Sequence, residues 1–176
     1  HQLAVLIREY KPKRIVEVGT WNGGRAIEMA LAAFENSKRV HYTGFDLFED
    51  ATFEIDRKEQ NTKPHNNFDA EKKRLEDFAG KMKEDKKTFT FTLLKGDSKE
   101  TMPKAKKELK KADFAFIDGG HSEETILSDY ENLIHVPVVA LDDYYSKDIN
   151  DKIPSDEFLG ANRLVESLKG TRIFVL

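Results

Sequence analysis

The chain has 176 residues, of which 39% are hydrophobic, 10% aromatic and 35% charged, with a formal net charge of -3 and no cysteine. That length suits one domain with a sizeable core, and no apolar run approaches the ~18 residues of a membrane span. Without cysteine there are no disulfides and no thiolate metal sites, so a metal would sit on carboxylates or imidazoles, and the near-neutral charge argues against a dedicated nucleic-acid binder.

Leu3, Leu6 and Ile7 share one face of a short helix, and Arg14 to Gly19 is a β-branched run closed by glycine, which reads as a buried strand. Ile27, Leu31 and Phe34 recur at helical spacing between Gly24 and Phe34. Further strands are predicted at Val40 to Phe45, Phe89 to Leu94, Phe114 to Ile117, Val136 to Leu141 and Thr171 to Leu176. Helical patterns cover Lys104 to Lys111, then Glu123 to Ile134 with an inward stripe of Ile126, Leu127, Tyr130, Leu133 and Ile134, then Glu157 to Leu168. Strands alternating with helices imply right-handed crossovers and a doubly wound α/β sheet, mostly parallel and covered on both faces.

One stretch breaks that rhythm. Residues 49–87 are polar, lysine-rich and longer than an ordinary crossover. The second half, Ala70 to Glu84, places Leu75, Ala79 and Met82 on one stripe, while the first half, with Asn61, Pro64, Asn66 and Asn67, reads as a loop. The segment is expected to be either a solvated insertion or a lid over a ligand crevice. Neither end of the chain reads as natural, so further residues are expected on both sides. The whole, residues 1–176, is expected to be a single cytoplasmic domain with no membrane partner; nothing in the sequence excludes a homo-oligomer.

In an open parallel sheet ligands bind beyond the carboxyl ends of the strands. Here those ends carry Glu17, Gly19, Gly23 and Gly24, then Asp46, then Asp97, then Asp118, then Asp142 and Asp143. Acids and glycines also favour turns and helix starts, which accounts for any one of them but poorly for five successive ends. The first turn fails the dinucleotide pattern G-x-G-x-x-G, because Trp21 stands where the second glycine belongs, so a carboxylate-bearing ligand suits it better than a pyrophosphate. Asp46 is placed to accept from two ribose hydroxyls, and Asp97 from an exocyclic amine.

Five motifs in order, Glu17-x-Gly19-x-x-x-Gly23, Gly44-Phe-Asp-Leu-Phe-Glu49, Lys95-Gly-Asp-Ser-Lys-Glu-Thr-Met-Pro103, Phe116-Ile-Asp-Gly-Gly-His121 and Leu141-Asp-Asp-Tyr-Tyr145, resemble class I S-adenosylmethionine-dependent methyltransferases. The similarity is to the macrocin O-methyltransferase-like branch and runs from about Leu3 to Leu168. It implies a Rossmann-like, mostly parallel sheet of seven strands, the seventh lying beyond Leu176. It also implies that Gly19 and neighbouring backbone hold the methionine part of the cofactor, with Glu17 near its amino group. Asp46 would take the ribose, Leu47 the adenine pocket and Asp97 the adenine amine. Thr20, Trp21, Gly23, Ser98 and Asp118 belong to the same motifs and complete the expected cofactor site.

Three carboxylates, Asp118, Asp142 and Asp143, converging on one crevice must retain a proton or be neutralised by a cation, and all-oxygen ligation favours Mg²⁺ or another hard divalent ion. In metal-dependent O-methyltransferases of this resemblance, acids at these motif positions chelate Mg²⁺. Macrocin-type sugar methylases carry an acid two residues after the fourth strand's aspartate, where this chain has Gly120. Catechol-type enzymes carry a catalytic lysine three residues after it, which is the place of His121. His121 beside Asp118 is therefore the candidate base, with metal ligand and bystander as the other readings. His65 reads as a loop histidine in reach of substrate, and Tyr144 and Tyr145 as pocket aromatics. The expected activity is metal-assisted O-methylation of a small hydroxylated acceptor, a sugar or phenol. A nicotinamide-dependent oxidoreductase is a second reading, opposed by Trp21 and the Asp142-Asp143 pair, and a non-catalytic cofactor-binding domain is a third.

Overall fold

Side chains of the central strands alternate between two buried faces, which is why the first and fourth strands show apolar runs rather than an apolar-polar alternation. β1 (Arg14–Val18) sends Ile15 into one core and Val16 and Val18 into the other. β4 (Phe114–Ile117) does the same with Phe114 and Phe116 against Ala115 and Ile117. With β2 (Arg39–Asp46), β3 (Thr88–Lys95), β5 (Val139–Leu141) and β6 (Phe174–Val175), they form one six-stranded sheet in the order β3-β2-β1-β4-β5-β6. Every neighbouring pair is parallel. This computed structural model describes residues 2–144, 160–168 and 174–175.

The doubly wound α/β architecture is the expected one, with six strands among the described residues. β5 starts at Val139 rather than Val136, because Pro137 has no N–H to give a ladder. Of the predicted last strand, residues 171–173 and 176 lie outside the described residues.

Helices α1 (Gln2–Tyr10), α2 (Gly24–Ala33) and α4 (Phe68–Glu84) cover one face of the sheet. The other face is covered by α5 (Ser98–Lys104), α6 (Lys106–Leu109), α7 (Glu123–Leu133) and α8 (Gly160–Ser167). Two predicted stripes are corrected. On α2 the buried side is Ala26, Met29, Ala30 and Ala33, and Leu31 is exposed. On α7 Ile126, Tyr130 and Leu133 are buried, whereas Leu127 and Ile134 lie a further 100° round the helix and face solvent. The predicted helix at Lys104 to Lys111 is two helices, α5 and α6, and α5 begins at Ser98, where the Asp97 side chain accepts from Lys99 N at 2.9 Å. Residues 157–159, predicted to open the last helix, lie outside the described residues. No described helix is long and apolar enough to cross a membrane.

The polar stretch 49–87 divides in two. Asn67 caps α4 by accepting from Asp69 N and Ala70 N, and the helix then buries Leu75, Phe78 and Met82. Phe78 meets Phe89 of β3 edge-on at 5.0 Å between ring centres. α4 is thus the crossover from β2 to β3 and part of the core. Only residues 51–66, with the short α3 (Phe53–Lys58), run across the strand ends. Replacing Leu75 by Ala should lower stability by about 2–5 kcal/mol in chemical denaturation, as for a core leucine, whereas a lid residue would change it little.

Candidate active site

The direction of strand addition reverses between β1 and β4, and there the two chains come very close. Gly19 N donates to Phe45 O at 2.8 Å, and Asp118 N donates to Val18 O at 2.8 Å. Gly19 has φ +86°, and a Cβ on it would lie 2.1 Å from the Asp118 carbonyl oxygen. Glycine is therefore required at 19 by the β4 backbone itself, independently of any ligand. Beyond this point opens a cavity of about 890 Å³. β1 and its turn contribute Glu17, Gly19, Thr20 and Trp21 to its wall, and the end of β2 contributes Asp46 and Leu47. Asp97 and Ser98 follow from β3, Asp118 and His121 from β4, and Asp143 from β5.

Two expected residues stand behind the wall. Gly23 caps α2 in the left-handed region, at φ 71°, and Asp142 is hydrogen-bonded to Asp118. Tyr144 is half-buried outside the lining, and Tyr145 lies outside the described residues.

The Asp46 carboxylate builds the glycine turn. Its Oδ2 accepts from Thr20 N at 2.8 Å and Trp21 N at 3.0 Å, and its Oδ1 accepts from Phe48 N at 2.8 Å. Asp97 likewise uses one oxygen as the cap of α5. Glu17 is different. It is completely buried, accepts a short hydrogen bond from the Tyr42 hydroxyl on Oε2, and leaves Oε1 with no partner among the described residues. Burial holds its carboxyl well above the usual carboxylate range, opposed by the Tyr42 hydrogen bond and reinforced by Asp118 and Glu71.

At the β4 and β5 ends, burial and the Asp142 carboxylate push Asp118 up to about 7, and the Lys63 ammonium opposes them. Asp143, at φ 56°, places Oδ2 2.7 Å from His121 Nε2, while His121 Nδ1 donates to the Glu59 carbonyl. Both ring nitrogens therefore carry hydrogens, and the Asp143 hydrogen bond raises the His121 pKa against the effect of burial. With both ring nitrogens so engaged, His121 presents no free lone pair to the cavity in this arrangement. Among the described residues no group of three or more acids and histidines is arranged to hold a metal ion.

A family model described as a methyltransferase domain matches residues 16–143, from β1 to the end of β5. The chain belongs to this methyltransferase family. No curated protein sequence matches it significantly. In fold, the methyltransferase is similar to the O-methyltransferase TomG from Streptomyces achromogenes, involved in tomaymycin synthesis and solved with SAM. The TM-score is 0.60 and the identity 17%, over 97% of this chain and 67% of TomG. It is also similar to MycE, a methyltransferase from the mycinamycin biosynthetic pathway solved with Mg and SAH, at TM-score 0.53 and 14% identity, over 94% of this chain and 38% of MycE.

The methyltransferase site contains residues that the motifs do not mark. Glu59 places its carboxylate where a side chain on Gly120 would go, since a Cβ there would lie 2.5 Å from Glu59 Oε2. It accepts from Ser122 N, Ser122 Oγ and Thr125 Oγ1 at 2.8–2.9 Å, which fastens the 51–66 segment to the start of α7. Glu71 of α4 is buried behind the glycine turn, accepting from Thr20 Oγ1 at 2.8 Å on Oε2 and leaving Oε1 without a partner among the described residues. In the sequence Glu71 is one acid within the helical pattern from Ala70 to Glu84 and Glu59 one acid in the loop half before it, and no motif marks either.

Burial pushes Glu71 up to about 7, opposed by the Thr20 hydrogen bond and reinforced by Asp46. The folded protein thus holds a proton that the unfolded chain releases near 4.5. Its stabilising effect is complete below that value and is lost as pH rises through about 7. Denaturation of the parent and of Glu71→Gln should therefore show the parent losing stability relative to the variant between about pH 5 and pH 8. Parallel pH curves would mean that Glu71 is already ionised.

Proposed function

We propose that this domain transfers a methyl group from S-adenosylmethionine to the oxygen of a small hydroxylated acceptor, a sugar or phenol, with help from Mg²⁺ or another hard divalent cation. The observation that carries this reading is the unpartnered Glu17 Oε1, buried at the end of β1 on the wall of the cavity. A completely buried carboxyl with an unclaimed oxygen is a receptor for a cation, and the cofactor's amino acid part ends in an ammonium. The positive end of the α2 helix dipole, which follows the glycine turn, favours the accompanying carboxylate. TomG and MycE, whose folds are similar, were solved with SAM and SAH respectively, which supports the choice of ligand.

For the acceptor, the support is the chemistry of the far wall, where Asp56, Gln60, Asn61, Thr62, Lys63 and Asn66 offer hydrogen-bonding groups to hydroxyls. Asp118, Asp142 and Asp143 are the residues that would hold the cation. Their donor set suits a hard ion, and the burial and the neighbouring Asp142 charge that push Asp118 up to about 7 are what such an ion would offset. A bound cation would lower the acceptor hydroxyl's pKa. The protein's own part is to align the reacting groups, to exclude water and to keep His121 as the cationic brace of Asp143.

Isothermal titration with S-adenosylhomocysteine should give one site per chain. Burial raises the Glu17 carboxyl and so favours its protonated form, and the ligand's ammonium should displace that proton, seen as a binding heat that varies with buffer ionisation enthalpy. Glu17→Gln should abolish that dependence and weaken binding about 10–100-fold, the loss expected for one charged hydrogen bond. A folded parent that gives no binding heat would remove the reading. For the cation, Mg²⁺ titration should show binding in the parent and none in the double variant Asp118→Asn with Asp142→Asn; equal affinity in both would clear these acids of the role.

A further inference from the structure

We propose that His65 is the general base that deprotonates the acceptor hydroxyl, held in place by Asp56, an assignment that rests on the methyl-transfer reading above. Two described histidines line the cavity, His65 and His121. His121 has both nitrogens bound to acceptors. In His65 only one nitrogen is engaged: Nε2 lies 2.6 Å from Asp56 Oδ1 and 3.0 Å from Asn61 Nδ2, and Nδ1 has no partner among the described residues. A carboxylate only accepts, and the two hydrogens of Asn61 Nδ2 go to Asp56 Oδ1 and the Lys63 carbonyl, so the geometry puts a hydrogen on Nε2; in the neutral ring the lone pair is then on Nδ1.

Asp56 is suited to this task. Asn61 Nδ2 donates to the same Asp56 Oδ1 at 3.1 Å and to the Lys63 carbonyl at 3.1 Å, which ties the start and end of the loop together. Burial raises the Asp56 carboxyl, but the hydrogen bonds from Asn61 and His65 outweigh it and keep the group below its ordinary range, hence ionised. Both side chains are about three-quarters shielded, at 25% and 27% exposure, so the pair is neither a solvated surface contact nor sealed from the cavity.

The ring is also fixed relative to the cofactor turn. On one side of it Trp21 Nε1 donates to the Pro64 carbonyl at 3.3 Å, and on the other Asn66 Nδ2 donates to the Trp21 carbonyl at 2.9 Å. Lys63, two residues earlier, is close enough to act on Asp118. Residues 63–66 therefore bridge the cavity from the β1 turn to the β4 end, across the space where an acceptor oxygen must meet a methyl donor seated on that turn. The charged groups lining the cavity with His65 are Glu17, Arg25, Glu28, Asp46, Asp56, Lys58, Glu59, Lys63, Arg74, Asp97, Lys99, Asp118 and Asp143.

In the step, Nδ1 takes the hydroxyl proton while the oxygen lone pair forms the new bond to the methyl carbon. The electron pair of the breaking carbon–sulfur bond stays on sulfur. The products are a methyl ether, a neutral thioether and imidazolium, which returns its proton to solvent. His65 is thus a catalytic residue and Asp56 a positioning residue.

Two measurements on the full chain test this. The first is long-range ¹H–¹⁵N spectroscopy of the histidine rings at about pH 7.5, where an unperturbed imidazole is neutral. It should show His65 with hydrogen on Nε2 and none on Nδ1, a preference lost in Asp56→Asn. The second is methyl transfer to 3,4-dihydroxybenzoate as acceptor probe. His65→Gln should lower kcat about 10²–10⁴-fold and remove the acidic limb of the rate profile, with S-adenosylhomocysteine affinity within about twofold of the parent. A proton resident on Nδ1, or His65→Gln turning over at the parent's rate while still binding S-adenosylhomocysteine, would overturn this assignment alone. A parent that binds no S-adenosylhomocysteine would overturn the underlying methyl-transfer reading, and this assignment with it.

Discussion

The site depends on how closely the first and fourth strands can approach at their carboxyl ends. A side-chain carbon at position 19 would sit 2.1 Å from the Asp118 carbonyl oxygen, so the two strands can be neighbours only if residue 19 has none. Once they are neighbours, the sheet must grow outward in both directions, and the ends of β2 and β3 fall on one side of the crevice with β5 on the other. Polar residues at those ends cannot be covered by helices, because the helices begin there. The cavity is the space that remains, and its chemistry is set by what terminates each strand.

What terminates them is acidic, and a half-dry cleft full of carboxylates is costly unless each one is satisfied. The fold satisfies some of them internally. Asp46 has three backbone N–H groups, Glu59 has three donors at the start of α7, and Asp143 has the His121 ring. Others it leaves open. Glu17 and Glu71 each keep an oxygen without a partner, and Asp118 shares a hydrogen bond with a second acid. The satisfied acids hold loops in place. Those left open are raised above the ordinary carboxylate range, which is where a ligand's positive charge would be received. A raised carboxyl does not alone mark a site, however. Asp129, fully buried in α7 and outside the cavity wall, is also pushed up to about 7 by burial first of all.

The strands, their parallel order and the clustering of Gly19, Asp46, Asp97 and Asp118 around one cavity were legible, because β-branched runs closed by glycine or aspartate leave few alternatives. Less legible were the elements whose apolar content is thin. α5 carries only Met102 into the core and contains Pro103, so no stripe announces it. α4 buries Glu71 on the same side as Leu75, and no sequence pattern distinguishes that glutamate from its exposed neighbours Glu76 and Asp77. His121 had the right spacing for a base, but its state is set by Glu59 and Asp143, 62 and 22 residues away in the chain. Spacing locates a side chain at a strand end. It cannot report how many acceptors the rest of the fold brings to it.

The 51–66 segment shows how a stretch with almost no core of its own is nonetheless held. Its α3 buries no residue, so its position rests on hydrogen bonds, and these run in two directions. Pro64 and Asn66 join it to Trp21 beside the cofactor turn, and Glu59 joins it to Ser122 and Thr125 at the start of α7. Between those anchors the chain is free of packing constraints that would couple it to the sheet. Its side chains toward the cavity can therefore change without disturbing the residues that build the turn. A wall that can vary independently of the frame that holds it is where acceptor selectivity can diverge, and the Asp56–His65 pair sits within that wall, 2.6 Å apart.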